Sequence, residues 1–301
     1  MSFHKVKASQ LNLRRTPEVI NGNIVAVLPN GQRVEKIEAI PDTQWWRIRT
    51  TLQGTPFEGF VSAKFLEEEV AALPAEVKLI MEIQLGENNT AAARNKKEGR
   101  AFPLNEFGQP SRIMTSTDSQ ILSIGSILDW LDVERSARYL PASGSTFCNI
   151  YTYDFCFLSG VYLPRVWWSE QAIRDLGSGR TVVPQYAKTI FELNANALLN
   201  WLKIWGTDFG WQRVNSEADL QDAANKGQLG LIAAQRQDLN RSGHIVAVVP
   251  ETGTFKAKRD ANNNVIIPLQ SQAGVSNRKY FRDRKWWTDS KFREFVFFIH
   301  D

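Results

Sequence analysis

Cysteine is scarce in this chain of 301 residues: Cys148 and Cys156 are the only two. They lie eight positions apart (156 minus 148) in one helix-compatible run. A helix separates such a pair by about 80° around its axis and about 12 Å along it, too far for a disulfide. A disulfide framework is therefore excluded. Histidine is nearly as rare, with His4, His244 and His300. Five such residues without paired spacing do not read as a zinc site, and no metal or cofactor is expected. Long apolar runs are absent too, since none approaches the roughly 20 residues of a membrane span. The first ten residues, Met-Ser-Phe-His-Lys-Val-Lys-Ala-Ser-Gln, lack the apolar core of a signal peptide. No block of Lys and Arg is long enough for a nucleic-acid arm, so no nucleic-acid partner is expected, and no membrane span.

What is present is an ordinary globular composition. Apolar residues make up 43% and charged residues 23%, and the formal net charge is +4. That mild excess suits an anionic polymer as well as it suits a plain solvated surface.

The first 70 residues read as short strands. Leu11-Asn12-Leu13-Arg14 and Arg33 to Ile37 alternate, and Pro29-Asn30-Gly31-Gln32 between them is a turn. Trp45 to Arg49 and Phe57 to Val61 complete a set of five short strands in a small barrel. Residues 67–76 read as a linker and 86–100 as a polar loop, which divides the chain into 1–70, a lead-in of 71–117, and 118–301.

From about 118 the period changes to that of a helix, with Ile121, Leu122, Ile124, Ile127, Leu128 and Leu131. Further helices are expected over 147–159, ended by Gly160, and over 188–205 and 216–226. Strands follow at 229–234, 244–249, 264–271 and 294–299. Helices first and antiparallel strands after give an α+β arrangement.

Two points along this pattern carry chemistry. Small polar residues 143–146 precede Cys148 at a helix start, where free N–H groups and the positive end of the dipole stabilise a thiolate. Ser242-Gly243-His244 opens the apolar run Ile245 to Val249, 96 residues downstream (244 minus 148). A histidine there is a general base for the thiol, taking its proton and returning it to a leaving amine. Gln272 is preferred as the group that orients the imidazole, with Gln270 next and Glu251 third. An amide oxygen accepts the ring N–H and fixes the tautomer. Candidate substrate contacts are Asn149 beside the thiol, Arg165 for a carboxylate, Trp168 for stacking, and Gln270. Arg165 reads equally well as a structural ion pair. Asp154 falls well off the cysteine's face and reads as a helix-surface or cap partner rather than a catalytic group. The pairs Trp45-Trp46, Trp167-Trp168 and Trp286-Trp287 place one member in and one out if they lie on strands.

Residues 5–68 resemble a bacterial SH3-type domain. Leu-Asn-Leu-Arg at 11–14, Trp-Trp-Arg-Ile at 45–48 and Glu-Gly-Phe-Val-Ser-Ala-Lys-Phe-Leu at 58–66 occur in that family's order. Residues 120–275, with Cys148-Asn149-Ile150-Tyr151 and Ser242-Gly243-His244-Ile245-Val246, resemble the papain-like cell-wall hydrolases of the NlpC and CHAP type. The resemblance implies a Cys-bearing helix packed on an antiparallel sheet and a Cys–His dyad. It also implies cleavage of amide bonds in peptidoglycan, as amidase or stem-peptide endopeptidase, by a monomer acting at the wall, periplasm or outside the cell. With no signal segment visible, export by another route, carriage by a phage, or a signal trimmed away would bring it there. Two other readings stand beside this one. They are a non-catalytic wall- or partner-binding protein with a degenerate papain-like domain, and a protein-directed acyltransferase or deamidase.

Overall fold

The computed structural model describes residues 2–52, 54–68, 81–86 and 92–301. The chain forms two compact units, Met1–Lys78 and Leu79–Asp301. Most of the expected linker, residues 69–76, lies outside the described residues.

The first unit is a single antiparallel sheet curled into a half-barrel. Its strands are β1 (Ser2–Val6), β2 (Gln10–Arg14), β3 (Ile24–Pro29), β4 (Arg33–Ala39), β5 (Trp45–Leu52), β6 (Thr55–Ser62) and β7 (Leu66–Glu68). They are ordered β3-β2-β6-β5-β4-β1-β7. Alternating residues Leu11, Leu13, Leu28, Val34, Ile48 and Val61 line the core. Gly31 takes φ +77° in the turn between β3 and β4, a conformation that favours glycine. At Gly59 a Cβ would meet the Arg14 carbonyl oxygen at 2.5 Å, so β2 and β6 can cross closely only there. His4 is 6% exposed in β1 and packs edge-on against Trp46.

The second unit packs helices on an antiparallel sheet. In chain order come α1 (Thr117–Leu131), α2 (Cys148–Leu158), β8 (Val166–Trp168), α3 (Glu170–Gly177), β9 (Ile190–Glu192), α4 (Ala195–Ile204), β10 (Gln212–Val214) and α5 (Glu217–Asn225). Then follow β11 (Leu229–Arg236), β12 (His244–Val248), β13 (Lys258–Arg259), β14 (Val265–Ile267), β15 (Gln270–Gln272), β16 (Arg278–Phe281) and β17 (Phe292–His300). The main sheet runs β10-β17-β11-β12-β15-β16, and each paired strand in it is antiparallel. One face carries Leu231, Ala233, Ile245 and Ala247 against α2 and α4. The other carries Ile232, Ala234, Val246 and Val248 against α5 and Trp286.

Three expectations change. The helix expected over 188–205 starts at Ala195, because Asn194 caps it through the Ala197 N–H while Ile190–Glu192 pairs with β8. The strand expected over 264–271 is two strands, because Pro268 between them has no N–H to give the ladder. Of the lead-in segment, Ile83 and Leu104 are buried in the core that holds α2. Among the described residues no helix is long and apolar enough to cross a membrane.

Candidate active site

A tight turn delivers the thiol. Ala142 and Ser145 exchange backbone hydrogen bonds at 3.1 and 2.9 Å, with Ser143 and Gly144 at positive φ. Helix α2 starts three residues later at Cys148, and its N-cap, Phe147, makes no side-chain cap. The first-turn N–H groups are thus left for other partners. Those of Cys148 and Asn149 lie near the sulfur, as does that of Ile245. Cys148 is 1% exposed. Burial is the larger effect and pushes the thiol above its ordinary value, while the three N–H groups oppose it.

The histidine is set from the other side of the same strand. Gly243 sits where a Cβ would come within 2.4 Å of the Ala234 carbonyl oxygen and 2.5 Å of Asn196 Oδ1. The glycine before His244 is therefore required by a close backbone approach. Gln272 Nε2 donates to the Ser276 carbonyl at 3.2 Å, which turns its Oε1 to His244 Nε2 at 3.0 Å. The amide oxygen accepts, so Nε2 carries the ring proton and Nδ1 keeps its lone pair. Burial pushes the imidazole down to about 4, helped by the charges of Lys291 and Arg236 and opposed by the Gln272 bond. The ring is neutral at pH 7.

Trp286 packs edge-on against the ring, with centroids 4.5 Å apart. Gln270 Oε1 accepts the Trp286 indole N–H at 2.7 Å, and Gln270 Nε2 donates to the Pro268 carbonyl. Gln270 is wholly buried and so is no substrate contact: it holds the tryptophan that flanks His244. The Trp286-Trp287 pair lies in a short 3₁₀ turn, where strand alternation does not apply, and both members are buried. The outward member the sequence suggested is likewise missing at Trp167-Trp168, each 6% exposed.

Strand alternation turns Ile245 towards α2 and His244 towards Trp286. Thiol and imidazole therefore flank one step of β12. Among the described residues no hydrogen bond joins Cys148 Sγ to the ring. His244 and Gln272 open onto a cavity of about 580 Å³, walled by Gly144 and Thr146 on the chain leading to Cys148. Gly274 leaves the imidazole open there, since a Cβ would sit 3.5 Å from its Cε1.

The other candidate contacts lie elsewhere. Asn149 Nδ2 donates to the Leu193 carbonyl at 2.9 Å. Arg165, 4% exposed, is an ion-pair residue, bonded to Glu192 and to the Arg100 and Leu193 carbonyls. Trp168 gives its indole N–H to the Met81 carbonyl. The polar groups of all three are occupied within the fold: Arg165 and Trp168 are buried beside and in the β8–β9 hairpin, and Asn149 is half-buried. Glu251 is bound by Arg259, which, with Asn225 and the Ala257 N–H, holds its carboxyl down to about 2. Among the described residues the ring's partners are Gln272 and Trp286, not Glu251.

Asp154 is not on the helix surface. It is fully buried and bonded to Arg138 Nε at 2.6 Å and to the Tyr139 hydroxyl at 2.9 Å. Arg138 also reaches the Gly99 and Phe102 carbonyls, tying α2 to the segment before α1. Arg138 was not legible in the sequence, because a lone arginine 16 residues away gives no spacing signal. Nor were the cations around His244, although Arg241 stands three residues before it.

No family model matches the sequence, and no curated protein matches it. The solved structure of NlpC2 from Trichomonas vaginalis aligns with 100% of this chain and 72% of that one, at 10% identity and a TM-score of 0.22. The likeness is weak and distant.

Proposed function

We propose that the second unit is a cysteine hydrolase of amide bonds, with Cys148 as nucleophile, His244 as base and acid, and Gln272 as the group that orients it. The observation that carries this reading is the Gln272–His244 bond, anchored through Ser276. It leaves Nδ1 as the basic nitrogen, on the residue next to Ile245, whose N–H lies near the thiol. As Sγ attacks the carbonyl carbon, its proton passes to Nδ1. The S–C bond forms, the C–N bond breaks, and the amine leaves with the proton from the ring. Water then hydrolyses the thioester. The uncapped N–H groups at the start of α2 are the nearest donors for the oxyanion. Since burial disfavours both the thiolate and the imidazolium, the resting pair is neutral. The proton moves only as the bond forms.

The substrate in this reading is the stem peptide of bacterial peptidoglycan, met at the wall, periplasm or outside the cell. That part is supported by the sequence resemblance at residues 5–68 and 120–275. Digestion of purified sacculi by wild type and by Cys148→Ala, with mass spectrometry of the products, tests it. New amine termini from wild type alone are expected, and equal release from both sinks the proposal.

One observation favours a second reading, a binding protein that has kept the fold without the chemistry. Cys148 is 1% exposed and unbonded to His244. A thiol alkylated by iodoacetamide no faster than a free model thiol, together with inert sacculi, is the outcome this reading expects.

A further inference from the structure

The cavity on His244 has one sign of charge. Arg236, Arg241, Arg284 and Lys291 line it, and no Asp or Glu does. Asp289, outside the lining, pairs with both Arg284 (3.2 Å) and Lys291 (3.1 Å), so one carboxylate serves two cations. Arg236 donates to the Ser242 carbonyl at 3.1 Å and lies over the Phe292 ring, with no carboxylate partner among the described residues. Among the described residues Arg241 has no acidic partner either. Like charges held together without compensation repel one another, and a bound anion relieves them. The field reaches the site itself, because Lys291 and Arg236 both act on the imidazole.

We propose that this cavity is an anion-recognition site whose ligand is a short peptide with free carboxylates, held by Arg236 and Arg241. Three of the four cations are arginines, whose planar forks match a carboxylate with two parallel bonds. A volume of about 580 Å³ suits a few residues, and Phe292 and Trp286 supply apolar walls for their chain. A nucleic acid is the weaker fit, because in the basic run 278–285 that leads away from the cavity Lys279 is paired with Asp129 and Lys285 with Glu217. The proposal rests on the hydrolase reading only in placing the carboxylates beside the scissile amide. Binding itself needs no thiol.

The test uses the full chain carrying Cys148→Ala, so that nothing is turned over. The probes are rhodamine-labelled Ala-Glu-Ala-Glu and its neutral analogue Ala-Gln-Ala-Gln with an amidated end, followed by fluorescence anisotropy. The acidic peptide is expected to bind at least about tenfold more tightly, with the preference weakening as salt rises. Arg241→Gln, at an exposed side chain, is expected to remove most of the preference, and Arg236→Gln with Arg241→Gln all of it. Arg213→Gln, outside the cavity, is expected to leave it intact. Equal affinity for the two peptides overturns the proposal, as does a preference that survives the double substitution in a chain with an unchanged thermal transition. Displacement of the peptide by a decamer oligonucleotide at lower concentration overturns the peptide assignment. Charge-selective binding alongside inert sacculi overturns the hydrolase reading alone.

Discussion

His244 is where burial, charge and hydrogen bonding meet on a single side chain. Its ring is held near 4 against about 6.5 in an unfolded chain, so the folded state binds fewer protons between those values. Stability is therefore full above about pH 6.5 and falls as the pH drops towards 4. Denaturant unfolding at pH 7 and pH 5 checks this, and His244→Phe should flatten the difference. Activity should share the acid limit, with kcat/KM falling near pH 4 rather than 6.5. Gln272→Ala removes the acceptor that fixes the tautomer, a bond worth ~1–3 kcal/mol, and should lower kcat about ten- to hundredfold with KM nearly unchanged. Gln272→Glu should instead move the acid limit upwards, because a carboxylate stabilises the charged ring. A limit that stays put in Gln272→Glu would show that the two side chains are uncoupled. At this scale the sequence was informative. His244 and Gln272 were named from their places on adjacent apolar runs, and the structure joins them. Arg165, Trp168 and Gln270 were not legible as interior residues, nor Asn149 as one bonded into the fold. Each is polar or amphipathic, and only the packed structure shows where its polar atoms go: Arg165 to Glu192, Trp168 to the Met81 carbonyl, Gln270 to Trp286 and Asn149 to the Leu193 carbonyl.

Helix α2 shows what sets an element in place. Its limits were readable from the small residues before Cys148 and from Gly160 after it, and the helix runs 148–158. Its anchorage was not. The Arg138–Asp154 pair is wholly buried and completed by Tyr139 and two backbone carbonyls, so every strong polar atom is matched. Asp154→Ala leaves the guanidinium buried with only neutral partners, which costs about 3–5 kcal/mol. Urea unfolding should show that loss, whereas iodoacetamide should find Cys148 more reactive as the helix start loosens. A loss under 1 kcal/mol would mean water reaches the pair. Strand β12 carries the opposite lesson. Its alternation was plain in the sequence, but which face meets α2 and which meets Trp286 depends on what is packed on each side.

At the scale of the whole molecule, a core of its own within a compact unit makes the first unit a candidate for independent folding. Residues 1–78 expressed alone should melt cooperatively, and Leu13→Ala, which empties a fully buried site, should cost about 2–5 kcal/mol. A non-cooperative melt of the unmutated fragment would show that its core is insufficient. The sequence by itself determined the α+β order, the strand-rich start, the helix that begins at Cys148, and the glycine before His244. These follow from local periods and backbone conformation, which need no partner. Only the tertiary structure decided the sheet order β10-β17-β11-β12-β15-β16, the burial of Asp154 with Arg138, and the gathering of four cations around His244. The sheet order and the approach of Arg284 and Lys291 to His244 join segments far apart in the chain, and the Arg138–Asp154 pair joins separate elements, so it is packing beyond the local chain, with the desolvation it imposes, that selects them.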